Sequence, residues 1–294
     1  MVALLRMGHR PWVEYAELVE ELGSARAALE QELDPEHAPG GQTTLLAPEP
    51  DAPSRDQALA QATLDLQRWD AQGMRLLTIL DPDFPPNLRA VHDRPPIVFL
   101  AGALTPQDAR AIAVVGTRKA SQPGIRRATE IAEHLVGAGY TVLSGLAAGI
   151  DTAAHTAALS AHGRTVAVIG TGLTRSYPPQ NEALQRRIAE QCAVISQFWP
   201  DAPPSRRTFP MRNAVISGMA LATVVVEAPE TSGARMLARL ALAQGRPVFL
   251  LESLVETQRW AREYAARPAT YVISSPDAIA ATMERLISPD SLVA

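Results

Sequence analysis

Apolar and polar positions along the chain follow two different rhythms. Residues 12–33 place Trp12, Tyr15, Ala16, Val19 and Leu22 near helical spacing, and Gly23-Ser24 then breaks the pattern. Residues 34–53 are rich in Pro, Gly and acids and read as a linker or loop. A second helix is predicted over about 55–72, with Leu59, Leu64, Leu66 and Trp69 as its apolar positions. Residues 74–80 read as a short strand, and the prolines within 81–86 demand a turn. From residue 111 the rhythm changes to short apolar runs alternating with helical stretches. Strands are predicted near 111–115, 141–144, 165–170, 192–196, 222–227 and 247–251, with helices near 123–138, 151–161, 180–190, 211–220 and 232–244. Continuous runs such as Thr223-Val224-Val225-Val226 suit a parallel strand covered on both faces. The expected fold class is therefore α/β, a doubly wound and mostly parallel sheet behind a small helical N-terminal region. Three parts are expected: helical residues 1–72 with the linker, a lead-in extension over 73–110, and the sheet domain over 111–294. A helix near 277–287 is predicted to be the last element, with no further domain after it.

Composition narrows the class. Hydrophobic residues make up 47% of the 294, enough for a buried core. No apolar run reaches the roughly 18 residues of a membrane span, and residues 1–10 lack the apolar stretch of a signal peptide. The single cysteine, Cys192, excludes an internal disulfide and a cysteine-rich zinc site, so a reducing cytoplasm is expected. The net charge of −4 speaks against a polyanion partner until the chain is divided. Residues 1–110 hold 9 basic and 17 acidic side chains, 111–251 hold 14 and 8, and 252–294 hold 4 and 6. The basic middle segment reads either as a polyanion-binding part or as ordinary charge scatter. Lys119 is the only lysine among 27 basic residues. Arginine suits forked phosphate contacts and stacking on bases, and a bias in genomic base composition gives the same preference.

Candidate chemistry gathers where the predicted strands end. Gly116, Thr117, Arg118 and Lys119 follow the first strand of the middle segment. A glycine there lets a ligand approach the backbone or simply serves a tight turn, while a helix N-terminus and Arg118 favour phosphate. Ser144, Gly145 and Gly149 frame a second small-residue loop, with Asp151 as the expected N-cap of the next helix and His155 as a packing residue. Gly170 and Gly172 open a third loop carrying Arg175 and Tyr177, a ring that either stacks on a base or packs on the neighbouring prolines. Arg206, Arg207, Phe209, Arg212 and Asn213 interleave charge and an aromatic just before a helix, as single-strand binding surfaces do and as a solvated basic turn also would. Glu227 ends a later strand, where an acid either caps the neighbouring turn or accepts from a ribose or a base, and Ser232-Gly233 opens the helix after it. No histidine has metal-ligand spacing to His155, and no Walker-type Gly-Lys-Ser or Gly-Lys-Thr occurs. No cofactor and no catalysed reaction are expected.

In this order the motifs resemble the DprA/Smf family of DNA-processing proteins: Gly116-Thr117-Arg118, Ser144-Gly145 through Gly149-Ile150-Asp151 with His155, Gly170-Thr171-Gly172 with Tyr177-Pro178 and Asn181, Phe209-Pro210-Met211-Arg212-Asn213 with Ile216-Ser217-Gly218, Val225-Val226-Glu227-Ala228, and Ser232-Gly233. The stretch from Leu77-Thr78 through Phe84-Pro85 and Leu88 to Pro95-Pro96 is similar to that family's lead-in. The resemblance covers roughly residues 75–251. It implies a Rossmann-like domain that binds single-stranded DNA, protects it, forms homodimers and helps load a RecA-type recombinase in transformation or recombination, without a membrane partner. Binding then falls on the strand-end residues named above, Arg118, Gly145, Arg175, Arg212 and Asn213 foremost. The chain departs from the family's pattern at Ala234-Arg235-Met236-Leu237 and at Leu250-Leu251-Glu252, and the winged-helix tail of many members is not expected. The alternative within the same superfamily is a nucleotide sensor or a nucleotide phosphoribohydrolase, with phage defence as a setting. The Pro-Gly-Gly-x-Gly-Thr loop of such hydrolases is not found here.

Overall fold

The computed structural model describes residues 1–34 and 54–287. The expected linker, from residue 35 onward, lies outside the described residues. The predicted helix over 12–33 is two helices, α2 (Trp12–Leu22) and α3 (Ala25–Leu33), preceded by a short α1 (Val2–Met7) that the pattern did not announce. Gly23 ends α2 in the left-handed region at φ +63°, and Ser24 caps α3 by accepting from the Ala27 N–H. α4 (Arg55–Ala71) opens on a capping box between Ser54 and Gln57.

The apolar face expected for α4 is wrong in detail. Leu59, Leu64 and Leu66 are exposed, and the helix buries Ala58, Ala62, Asp65 and Trp69 instead. Those four positions fall on one helical stripe, and their small alanines let α1 approach. Buried Asp65 is neutralised by Arg6 at 2.6 Å and Arg68 at 3.1 Å. Trp69 stacks on Trp199 at 5.9 Å between centroids and meets Phe99 edge-on at 4.9 Å, and Trp12 meets Trp199 edge-on at 5.3 Å. These rings dock the N-terminal helices onto the sheet.

Nine strands form one sheet: β1 (Met74–Thr78), β2 (Ile97–Gly102), β3 (Ala111–Val115), β4 (Thr141–Ser144), β5 (Thr165–Val168), β6 (Ala193–Ser196), β7 (Ala222–Val225), β8 (Val248–Leu251) and β9 (Thr270–Ile273). Their order is β1-β2-β6-β5-β4-β3-β7-β8-β9. β3 to β9 run parallel, and β1 and β2 add an antiparallel extension beside β6. Between them lie α5 (Pro86–Arg89), α6 (Gln122–Gly137), α7 (Ile150–Ser160), α8 (Glu182–Gln191), α9 (Thr208–Met219), α10 (Gly233–Ala243), α11 (Glu252–Thr257) and α12 (Arg259–Ala265), with α13 (Asp277–Ile287) after β9.

From β3 to β6 the chain steps one way along the sheet, and α9 then carries it back past β3 to β7. Right-handed crossovers place α6, α7 and α8 on one face and α9 and α10 on the other; α6 packs on α7, and α9 on α10. This reversal opens a crevice at the carboxyl ends of β3 and β7. β2, β9, α11 and α12 were not expected from the sequence. Val248, Phe249 and Leu250 are fully buried in β8, which lies inside the sheet between β7 and β9. Among the described residues no helix is long and apolar enough to cross a membrane.

Candidate nucleic-acid interface

The loop after β3 is strung between two neighbours. The Thr117 N–H donates to the Glu227 carbonyl at 2.6 Å, and the Thr117 carbonyl accepts from the Ile150 N–H at 3.3 Å. Glu227 itself is a helix brace. Its Oε2 accepts from the Ser121 N–H and hydroxyl, both at 3.0 Å, and the Ser121 Oγ in turn caps the Gly124 N–H. Gly149 closes the far side of this loop. Its φ is +81°, and a Cβ there would stand 2.4 Å from the Thr117 carbonyl oxygen.

Asp151 does not cap α7 as expected; Gly149 holds that position. The Asp151 carboxylate turns back to accept from the N–H groups of Gly145 at 3.2 Å and Ala147 at 3.3 Å. Arg212, buried near the start of α9, donates to the Gly145 carbonyl and to the Val168 carbonyl at 3.1 Å. The Gly145 peptide is thus held on both sides. A Cβ on Gly145 would press on the Arg212 guanidinium and the Asp151 carboxylate, so a larger residue there requires that pair to shift. Burial pushes the Asp151 carboxyl up, opposed by the Arg212 charge and by the N–H donors. Burial pulls Arg212 down to about 10, with Asp151 opposing and Arg118 reinforcing the shift, and it stays a cation at neutral pH.

Several predicted residues serve as framework. The Ser144 hydroxyl donates to the Val114 carbonyl at 2.7 Å, and the Asn181 amide donates to the Leu146 carbonyl at 2.9 Å. Gly170 lies beneath the Phe209 ring, and Gly172 lies against the backbone of Trp199 and Pro200. His155 is sealed in the core, its Nδ1 2.7 Å from the Thr165 hydroxyl, and burial pulls it down to about 3. Cys192 is buried.

The mouth of the crevice carries the binding chemistry. The Arg118 guanidinium lies 4.9 Å from the Phe209 ring centroid and 5.9 Å from that of Tyr177, and the two rings are 5.4 Å apart. Tyr177 is 40% exposed, which leaves ring surface open to a ligand. The crevice has a volume of about 320 Å³ and is lined by Gly116, Thr117, Arg118, Phe209, Arg212, Asn213, Ser232 and Gly233. α10 starts at its edge, where the Ser232 Oγ accepts from the Arg235 N–H at 3.2 Å, and adds the partial positive charge of a helix N-terminus. The Asn213 amide ties α9 to α10 through the Gly233 carbonyl at 3.2 Å. Arg175, Arg206 and Arg207 are exposed on neighbouring loops and make no ion pair among the described residues. Lys119 and Glu227 face a second crevice across the ridge 227–229. Asp151, Ala147 and Thr231 also line the first crevice and were not picked as binding residues. Only the adjacency of Thr231 to Ser232-Gly233 could have signalled it.

Two arginines, a helix N-terminus and two aromatic rings suit phosphates and bases together. The family model described as DNA recombination-mediator protein A matches residues 75–283. Protein Smf of Escherichia coli strain K12 is 42% identical over 185 residues, 62% of this chain and 50% of that one. Protein Smf of Synechocystis is 38% identical over 197 residues, 66% of this chain and 50% of that one. The match thus spans about half the length of these relatives. The solved structure of DNA processing protein A from Streptococcus pneumoniae aligns at TM-score 0.66 and 30% identity, covering 78% of this chain and 82% of that one. The Helicobacter pylori protein, whose structure is described for its single-stranded DNA binding mode, aligns at 0.64 with 22% identity over 72% of this chain and 96% of its own, a likeness of fold. With most of its length matched, from within β1 to α13, the chain belongs to the DNA recombination-mediator protein A family, the DprA/Smf proteins.

Proposed function

We propose that this protein binds single-stranded DNA along the carboxyl edge of its sheet and acts as a non-catalytic recombination mediator. In this reading it protects the strand, forms a homodimer in the cytoplasm and delivers the DNA to a RecA-type recombinase. The observation that carries the proposal is the Arg118–Tyr177–Phe209 cluster over the crevice, flanked by the exposed Arg175, Arg206 and Arg207. Guanidinium groups meet the backbone, and an open ring face accepts a base of any identity. The binding mode described for the Helicobacter pylori relative supports the same ligand. The absence of catalysis is supported by the engagement of the nearby titrating groups. Glu227 braces α6, Asp151 braces the loop after β4, and His155 is neutral and sealed.

Fluorescence anisotropy with a labelled oligothymidylate tests this reading. Tyr177→Ala is expected to lose about 1–3 kcal/mol of stacking, roughly 5- to 150-fold in Kd. Arg118→Ala is expected to weaken binding and to reduce the dependence on log salt by about 0.7. Wild-type affinity in both variants would refute the proposed surface.

A further inference from the structure

The structure holds a second crevice beside the first, with no role in the account so far. It has a volume of about 320 Å³, the size of its neighbour. Thr117 and Pro229 border both, so only the ridge 227–229 divides them. Arg118 lines the first and Lys119, the next residue, lines the second. Consecutive cations in the chain therefore stand on consecutive hollows.

We infer that this second crevice takes the neighbouring nucleotide of the same single strand, with Lys119 on its phosphate and Gln258 on its base; the inference rests on the single-strand reading above. Lys119 is exposed and has no ion-pair partner among the described residues, so its ammonium is available as a compact charge for a phosphate. Gln258 is half-buried in the extended joint between α11 and α12, and its side-chain amide makes no hydrogen bond among the described residues. An amide offers both a donor and an acceptor to a base edge. Val226 and Leu254 supply apolar wall for the base plane. The wall is fixed to the ridge, because the Trp260 Nε1–H at the start of α12 donates to the Ala228 carbonyl at 2.9 Å. The Thr257 hydroxyl is already donated to the Ser253 carbonyl at 2.7 Å and the Ser253 hydroxyl accepts from Arg127, so Gln258 carries the uncommitted amide on this wall.

The test uses the full chain and a labelled 20-mer oligothymidylate, with Lys119→Ala, Gln258→Ala, Gln258→Glu and Arg259→Ala. Circular dichroism confirms folding of each variant. Lys119→Ala is expected to bind several-fold more weakly with a salt slope lower by about 0.7. Gln258→Ala is expected to lose several-fold in affinity with the slope unchanged, and Gln258→Glu to lose more, through repulsion of the backbone. Arg259→Ala, whose side chain pairs with Glu263 away from the crevice, is expected to bind as wild type. Folded Lys119 and Gln258 variants with wild-type affinity, alongside a weakened Tyr177→Ala, would overturn the second subsite and leave the first standing. A wild-type protein that fails to hold the oligomer would overturn both.

Discussion

Arg118 and Arg212 sit in motifs of similar appearance, and the fold uses them differently. Arg118 is exposed over two rings, whereas Arg212 is 5% exposed and clamps backbone carbonyls beneath the loop. Arg212→Ala therefore removes a framework cation as well as any contact to DNA, which makes Arg118 the cleaner probe of binding. His155 makes a separate prediction. Its folded pKa of about 3 lies below the ordinary imidazole value of 6.5, so the unfolded chain takes up a proton that the native state refuses. The stability this provides is complete above pH 6.5 and is lost as pH falls toward 3. Denaturant titrations between pH 7 and 5 should show wild-type stability falling with acid, by at most about 1.4 kcal/mol per pH unit for one proton. A His155→Gln variant should show a shallower fall, and identical slopes would contradict a neutral buried imidazole. Residue types and spacing made the strand-end loops legible, but burial was not. Nothing in the string Met211-Arg212-Asn213 says that the middle residue turns inward while Met211 is 45% exposed.

The elements best read from sequence were those with strong local signals. The apolar runs of β3 to β8 and the helices between them lie close to their predicted places. α4 went wrong because its leucines lie off its core face, and the partners that select that face, α1 against the alanines and Trp199 against Trp69, are distant in the chain, Trp199 by 130 residues. β2 follows Pro95-Pro96 and was absorbed into the lead-in, and β9 has one buried residue, Ile273, too few to show a pattern. A capping role for Glu227 was legible, but its partner Ser121 at the start of α6 was not, since the two lie 106 positions apart. It leads to a two-part prediction. Glu227→Ala should cost about 1 kcal/mol, the order of a lost hydrogen bond that steadies the Ser121 cap, measured by denaturant unfolding. Incubation of the wild type with nucleoside monophosphates, NAD or ATP should release neither base nor phosphate. Turnover abolished by a well-folded Glu227→Gln would instead assign the acid to catalysis.

At the scale of the molecule, the asymmetry of charge seen in sequence takes a spatial form. Arg118, Lys119, Arg175, Arg206 and Arg207 all lie on loops that follow parallel strands, and parallel strands end at one edge. The homodimer is a matter for light scattering. Among the described residues β9 is the last strand of the sheet, with Val272 46% exposed, an edge that a second copy could meet. A mass of twice the 31.5 kDa chain at tens of micromolar is expected, and a mass of 31.5 kDa would exclude the dimer. Single-strand binding along that edge is measured directly by an anisotropy titration of a labelled single-stranded oligonucleotide against its duplex at two salt concentrations. The account predicts tighter binding of the single strand at both, with affinity falling by about 0.7 in log K per phosphate contact for each tenfold rise in salt. Equal or tighter binding of the duplex would contradict it.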